Sequence, residues 1–230
     1  MKTYLMSSGE LRIIAAASGM ESFLMFEPKP QDSRGVEMQS ILRLVNDGFL
    51  ISEDTSIKPE PSLVPLLYAF QHSSHAIVAR LVSGEAAPIC IYTNHLANSF
   101  LRITPHSLKE DFYKISIVDG ALLLDDAESS HFLPMLHDVS FHSTPEADNS
   151  VGAIDDTPEQ QMDDETLSHL ITTGLLSTFE RYDLSTHVLL QKLSIFQTPF
   201  AWYMATHSEA GKRLKYYSRD EFAAWLKGES

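Results

Sequence analysis

The sequence predicts an α+β fold: a central antiparallel sheet with flanking helices, arranged as two quasi-symmetric halves and opened by a winged-helix-like N-terminal segment. Three observations lead there. "SILRLVNDGFLISED" reads as the end of a helix, a Gly stop and the first strand of a hairpin, with helical patterns on both sides. From His75 the periodicity changes from helical to extended, in short runs too closely spaced for helical crossovers, which forces antiparallel pairing. A second extended region follows an acidic gap and echoes the first.

Residues 7–18 are expected to be helical, with Ser7 and Glu10 as a capping box and Leu11, Ile14 and Ala15 on one face. "ESFLMF" reads as a strand ended by Pro28 and Pro30. A helix over 36–47 places Met38, Ile41, Leu42 and Val45 at i, i+3, i+4 and i+7, and Gly48 stands where a left-handed residue usually ends a helix. "FLIS", the turn "EDTS" and "IK" make a short hairpin. After Pro59 and Pro61, Ser62 caps a helix with Leu63, Leu66, Leu67 and Phe70 on one face; Pro65 fits its first turn.

Five extended runs come next: "HAIVARLVS", "PICIYTN", "NSFLRIT", "DFYKISIV" and "ALLLD". Asp119-Gly120 between the last two is a two-residue hairpin signal. A brief helix is expected around 127–137. Residues 142–165 hold eight acids and no base, and their composition favours a solvated linker. Such a run can also mimic nucleic acid or dock a basic partner. The expected organisation is a single domain over 1–230, with half one at 1–141, the acidic linker at 142–165 and half two at 166–230. "DETLSHLITTGLL" begins half two as a helix over 165–176. Within half two, "HVLLQKLSIFQTPFAWYMATH" repeats features of "HAIVARLVSGEAAPICIYTNH": Pro88 and Tyr92 map onto Pro199 and Tyr203 at one offset, His75 and His95 onto His187 and His207 at the next. Chance likeness between two apolar strand pairs is the competing explanation.

Charge limits the partners. The formal net charge is −14. Residues 115–180 carry 14 acids and no Lys or Arg, whereas outside them 17 acids balance 17 bases. Duplex DNA needs Lys and Arg against phosphate. Helix 36–47 offers only Arg43 against Glu37 and Asp47, and the hairpin adds Glu53 and Asp54 against Lys58. The winged-helix outline therefore reads as architecture, with a weakly or indirectly DNA-binding regulator as the alternative. The single basic cluster, Lys212, Arg213, Lys215 and Arg219, reads as a solvated strand edge.

Chemistry has little foothold. Cys90, the single cysteine, sits in an apolar strand and forms no disulfide within the chain. His131, His137 and His142 lack metal-ligand spacing, as do His72 and His75. No G-x-S-x-G, Walker A or G-x-G-x-x-G occurs. Tandem acids such as Asp125-Asp126 are expected in loops or the linker, and solvated pairs do not imply the shaped pocket that acid–base catalysis requires. No catalytic residue, metal, cofactor or small-molecule ligand is expected. The N-terminus lacks a signal-peptide layout and there is no 18-residue apolar run, so a cytoplasmic protein away from the membrane is expected.

The early "ELRIIAAASG" helix, "SILRLVNDGFL", "PSLVPLLYAF", the meander "HAIVARLV", "PICIYTN", "FLRIT", "FYKISIVDGALLL" and the closing "ESSHFLPML" together resemble the EspG family of type VII (ESX) secretion chaperones. The resemblance covers 5–137 well and 165–230 more loosely. It implies a quasi-two-fold antiparallel sheet flanked by helices. It also implies a non-enzymatic cytoplasmic chaperone that holds a helical secreted protein, of WXG or helical-hairpin type, soluble before export. By the same resemblance the partner-binding pieces are a strand–strand loop at Gly84, Glu85 and Ala86, and the 165–176 helix with Leu167, Leu170, Ile171 and Leu175.

Overall fold

The structure is a computed structural model that describes residues 3–17, 34–53, 56–84, 88–93, 99–129, 132–133, 160–161, 165, 174–197, 202–209 and 211–229. Its sheet has ten strands. In chain order the elements are β1 (Thr3–Ser7), α1 (Ser8–Ala17), α2 (Arg34–Asn46), β2 (Leu50–Glu53), β3 (Ser56–Pro59) and α3 (Val64–Gln71). The first meander is β4 (His75–Leu81), β5 (Ile89–Thr93), β6 (Ser99–Pro105) and β7 (Phe112–Asp119), followed by α4 (Gly120–Ser129). After β8 (Gln160–Gln161), a second meander runs through β9 (Leu175–Asp183), β10 (Leu189–Gln197), β11 (Trp202–Ser208) and β12 (Gly211–Tyr216) into α5 (Arg219–Lys227).

The sheet order is β1-β7-β6-β5-β4-β9-β10-β11-β12-β8, antiparallel at every pairing. Read outward from the β4–β9 junction, both sides are the same: a four-stranded meander that ends in a helix, then a short extra strand at the edge. The two halves expected from the sequence therefore share one sheet. The echo in the sequence is out of step by a strand, however. It equates β4–β5 with β10–β11, whereas the sheet relates β4 to β9 and β5 to β10. Successive apolar hairpins look alike in sequence, and only pairing reveals which one is the counterpart.

Alternation along the strands builds two cores. On one face Ala76, Val78, Cys90, Tyr92, Leu101, Ile103 and Ile115 meet Leu11 and Ile14 of α1, Leu44 of α2 and Leu66 and Phe70 of α3. On the other, Ile77, Ala79, Phe179, Leu193, Ile195 and Met204 meet Leu123 and Ala127 of α4 and Phe222, Trp225 and Leu226 of α5. In the second half of the first face, Phe196, Tyr203, Ala205 and Leu214 make a cluster that, among the described residues, is built from strands alone.

Several local expectations hold. Ser7 and Glu10 form the capping box, Ser7 N–H donating to Glu10 Oε2 at 2.7 Å and Glu10 N–H to Ser7 Oγ at 3.3 Å. Gly48 ends the helix at φ +75°, β2 and β3 pair as a separate hairpin, and Leu63, Leu66 and Phe70 are buried.

Other expectations are corrected. Asp119-Gly120 is no hairpin turn: Asp119 Oδ1 accepts from Leu122 N–H at 2.9 Å and caps α4, so "ALLLD" is helical and the helix expected at 127–137 begins at Gly120. Asp is as good an N-cap as a turn former, and the apolar side chains of α4 find a sheet face to cover. Leu175 and Leu176, placed in the 165–176 helix, open strand β9 because β4 and β10 offer backbone partners on both sides. Gln160-Gln161, inside the expected linker, pairs with Leu214 and Arg213 on the open edge of β12. Strand β1 had no signal in the sequence and is drawn out by the free edge of β7. "ESFLMF" and most of 142–165 lie outside the described residues.

Candidate partner-binding surfaces

The N-terminal module is fixed by one buried carboxylate. Glu10 is 2% exposed; besides its cap bond it ion-pairs with Arg43 at 3.2 Å, and the Arg43 guanidinium lies 4.6 Å over the Phe112 ring. The crossing of α1 and α2 is close, since a Cβ on Gly9 would stand 2.9 Å from Ser40 Oγ. These contacts select which side of α2 docks. Ser40 and Leu44 go inward, with Ile41 and Val45 packed at the margin. Met38 and Leu42, expected on the core face, are 57% and 55% exposed. Spacing alone cannot tell which of two overlapping apolar stripes is buried; a small residue at the crossing decides it. The outer face of α2 thus shows an apolar pair, and Arg43 is held by Glu10 and Asp47. That surface offers phosphate little.

The basic cluster is also engaged. Lys215 pairs with Glu221 at 2.9 Å, and Arg219 pairs with Asp125 of α4.

At the β4–β9 junction, on the face of α1–α3, Glu180 is the hub of a polar network. It accepts from Arg80 Nη1 at 2.5 Å and Tyr182 Oη at 3.0 Å, and Lys192 Nζ lies 3.6 Å away. Burial works to raise its pKa, but the Arg80 and Tyr182 hydrogen bonds and the two cations outweigh that and lower it. Under α4 and α5 on the opposite face, Phe179 sits edge-on to Phe222 and Trp225. The crevice between the two helices is lined by apolar side chains including Ala79, Leu123, Phe179 and Phe222, and its ≈ 10 Å³ is about what one water requires. Arg181, 7% exposed, stacks 4.5 Å over Trp225 and bonds Gln191 Oε1 at 3.3 Å. Burial lowers its pKa to about 10. Cys90 is buried, and its thiol is pushed up to about 12 by that burial. Among the described residues no three His, Cys, Asp or Glu side chains gather as metal ligands would, and no helix is long and apolar enough to cross a membrane. His131, His137 and His142 lie outside them.

Of the residues expected to meet a partner, Gly84 and Leu175 are described; Glu85, Ala86, Leu167, Leu170 and Ile171 lie outside. Gly84 is exposed in the β4–β5 turn at φ +69°, next to an exposed Val82. Leu175 opens β9 opposite Phe196 and packs against the strand-only cluster. The structure brings the two to one end of the β4–β9 pair: Leu81 lies opposite Ser177 and Val82 N–H bonds Leu176 O at 3.0 Å, so the turn that carries Gly84 stands beside the start of β9.

The sequence reading passed over the β9–β10 hairpin. Asp183 Oδ1 accepts from Ser185 N–H, Ser185 Oγ, Thr186 N–H and Thr186 Oγ1 at 2.6–2.9 Å. Those bonds, the Ser185 hydroxyl first, hold its pKa down to about 2. His187 takes φ +58°, and Asp183 N–H bonds Val188 O at 3.0 Å. Directly after this fastened turn Val188, Leu189 and Leu190 are 54%, 46% and 40% exposed. The legible signal was "DLST", an Asp followed two residues on by hydroxyls, which closes on itself and leaves the next residues to be displayed.

No family model and no curated protein matches the sequence. Solved structures do. Over 99% of this chain and 95% of the other, it superposes at TM-score 0.55 and 7% identity on the Mycobacterium tuberculosis type VII secretion system chaperone EspG5, solved in complex with the PE25–PPE41 dimer. At that identity the likeness establishes a shared fold. The chain therefore shares its α+β fold with an EspG-type chaperone, as its apolar pattern led one to expect.

Proposed function

We propose that the chain is a cytoplasmic chaperone or adaptor of a type VII secretion system, which binds a helical-hairpin secreted protein and holds it soluble before export. The observation that carries the reading is the fold shared over 99% of the chain with a type VII secretion chaperone solved in complex with the PE25–PPE41 dimer. The surface agrees with a protein-binding role. It shows apolar side chains on fixed elements at Met38 and Leu42, at Val82 beside Gly84, and at Val188–Leu190, and its crevice under α4 and α5 is too small for a metabolite. The chemistry required is shielding of an apolar tip by a modest apolar surface with a polar rim, without bond making or breaking.

The test is co-expression with helical-hairpin proteins encoded beside this chain, followed by size exclusion. The expected result is a stable complex and a cargo that aggregates when expressed alone. A chain that forms no complex with any such neighbour, yet is retained on DNA in a salt-sensitive way, refutes the chaperone role and favours the regulator.

A further inference from the structure

We propose that His106 is a pH-sensitive staple: as the neutral imidazole it fastens the β6–β7 turn against α1, and on protonation it releases that turn. His106 N–H donates to Phe112 O at 2.7 Å and closes the hairpin, so residues 107–111 form its turn. Within the turn, the backbone N–H groups of Leu108 and Lys109 both donate to His106 Nδ1, at 3.0 and 3.1 Å. A backbone N–H can only donate, so Nδ1 must present its lone pair. The ring is then the neutral tautomer with its hydrogen on Nε2. Protonation places a hydrogen on Nδ1 and leaves the imidazolium without an acceptor, so both bonds are lost in one step. They are present at a pH above the titration of the ring and lost as the pH falls through it.

The turn also clasps the N-terminal module. Asp111 takes φ +63°, the left-handed region that few non-Gly residues adopt. From there its carbonyl accepts from Ser8 N–H at 3.1 Å and its Oδ2 from Ser8 Oγ at 2.8 Å, and Ser8 is the first residue of α1. Phe112, next in the chain, has its N–H on Lys109 O at 3.3 Å and the Arg43 guanidinium of α2 4.6 Å over its ring. Lys109 Nζ lies 5.3 Å from the same ring. A residue in a sparsely populated conformation persists only while its surroundings hold it, and the two bonds to His106 are part of that hold. Leu108, 89% exposed, is carried on the same turn, so the staple also sets how it is displayed. The charged and titratable groups about the turn are Lys109, Glu110 and Asp111 within it, Tyr113 and Lys114 on β7, and Glu10, Arg43 and Asp47 on the helices. Carboxylates, lysine, arginine and tyrosine ordinarily titrate outside about pH 5–7.5, and histidine within it.

The experiment is nuclear magnetic resonance on the full chain at about pH 7.5 and about pH 5. It reads the imidazole nitrogen shifts of His106 and the exchange of the Leu108, Lys109 and Ser8 amides relative to their unprotected rates. At the higher pH the ring is expected to carry its hydrogen on Nε2, with Leu108 and Lys109 protected about 5-fold or more, the scale of one net hydrogen bond. At the lower pH the ring gains its second hydrogen, that protection is lost, and Ser8 loses protection with it. His106→Asn supplies an amide oxygen that accepts from N–H groups two and three residues on and does not titrate, so it should keep the protection at both pH values. His106→Ala should lack it at both. A hydrogen on Nδ1 at about pH 7.5, or a ring still neutral at about pH 5, overturns the switch. So does protection of Leu108 and Lys109 that survives protonation, or that falls in His106→Asn as it does in the parent. Ser8 protection that outlasts the turn's overturns the coupling to α1.

Discussion

Gly174 provides a severe test of how the two halves are joined. It stands one residue before β9, and a Cβ built on it would lie 1.8 Å from the Gln197 carbonyl oxygen and 2.9 Å from its carbon. Real Cβ atoms do not approach a carbonyl closer than 3.0 Å, so Gly174→Ala demands a displacement of about 1.2 Å. The obstacle is backbone at the end of β10, which pairs with β9 through Leu175 and Phe196, so no rotamer change relieves it. Overpacking against backbone costs about 3 kcal/mol. In a chain of this size each kcal/mol moves Tm by roughly 2–4 °C, which gives a loss of roughly 6–12 °C by calorimetry or circular dichroism. Gly9→Ala is the internal comparison, because its 2.9 Å neighbour is the Ser40 hydroxyl, the end of a side chain that can rotate. Its expected loss is about 1 kcal/mol or less. A Gly174→Ala protein that melts within about 2 °C of the parent, or a Gly9→Ala protein that loses more, would refute the reasoning.

Glu10→Ala removes both the capping-box acceptor and the partner of Arg43; urea unfolding should show a loss of about 2 kcal/mol, with Glu10→Gln recovering about half by keeping the cap. Asp183, held down to about 2 by hydrogen bonds from Ser185 and Thr186, contributes stability that is present above the unfolded carboxyl value of about 3.9 and lost as pH falls toward the folded value. In Asp183→Asn the urea midpoint should accordingly change less between pH 4.5 and pH 2.5 (about the window between those two values), and an unchanged gap would count against the turn bonds. The Cys90 thiol, buried and pushed up to about 12, should resist iodoacetamide in the native chain at about pH 8 and react once unfolded; rapid native labelling would contradict the strand core as described.

Much of the fold was legible because its signals are local. Ser7 with Glu10, Gly48 after α2, and the buried stripe of α3 each depend on a few neighbouring residues. The short spacing of the extended runs was enough to require an antiparallel sheet. Three misreadings share one cause, which is that local chemistry was compatible with two answers. Asp119-Gly120 suits a turn or a helix start, "GLLSTF" suits a helix end or a strand, and α2 carries two overlapping apolar stripes. In each case a surface elsewhere in the chain selected the outcome: the sheet face under α4, the free edges of β4 and β10, and Ser40 against Gly9.

The candidate site divides the same way. Sequence pattern was sufficient to point to an EspG-like fold, since that expectation depends on the order and spacing of the apolar runs. It could not identify the exposed stretch at Val188–Leu190, because exposure of an apolar residue is a statement about what fails to cover it. By itself, then, the sequence determined the secondary elements with local caps and stops, the antiparallel class and the placement of the negative charge. Tertiary structure decided the strand order around the β4–β9 junction, the face of α2 that docks, and which apolar residues are left outside, since each depends on contacts between residues far apart in the chain.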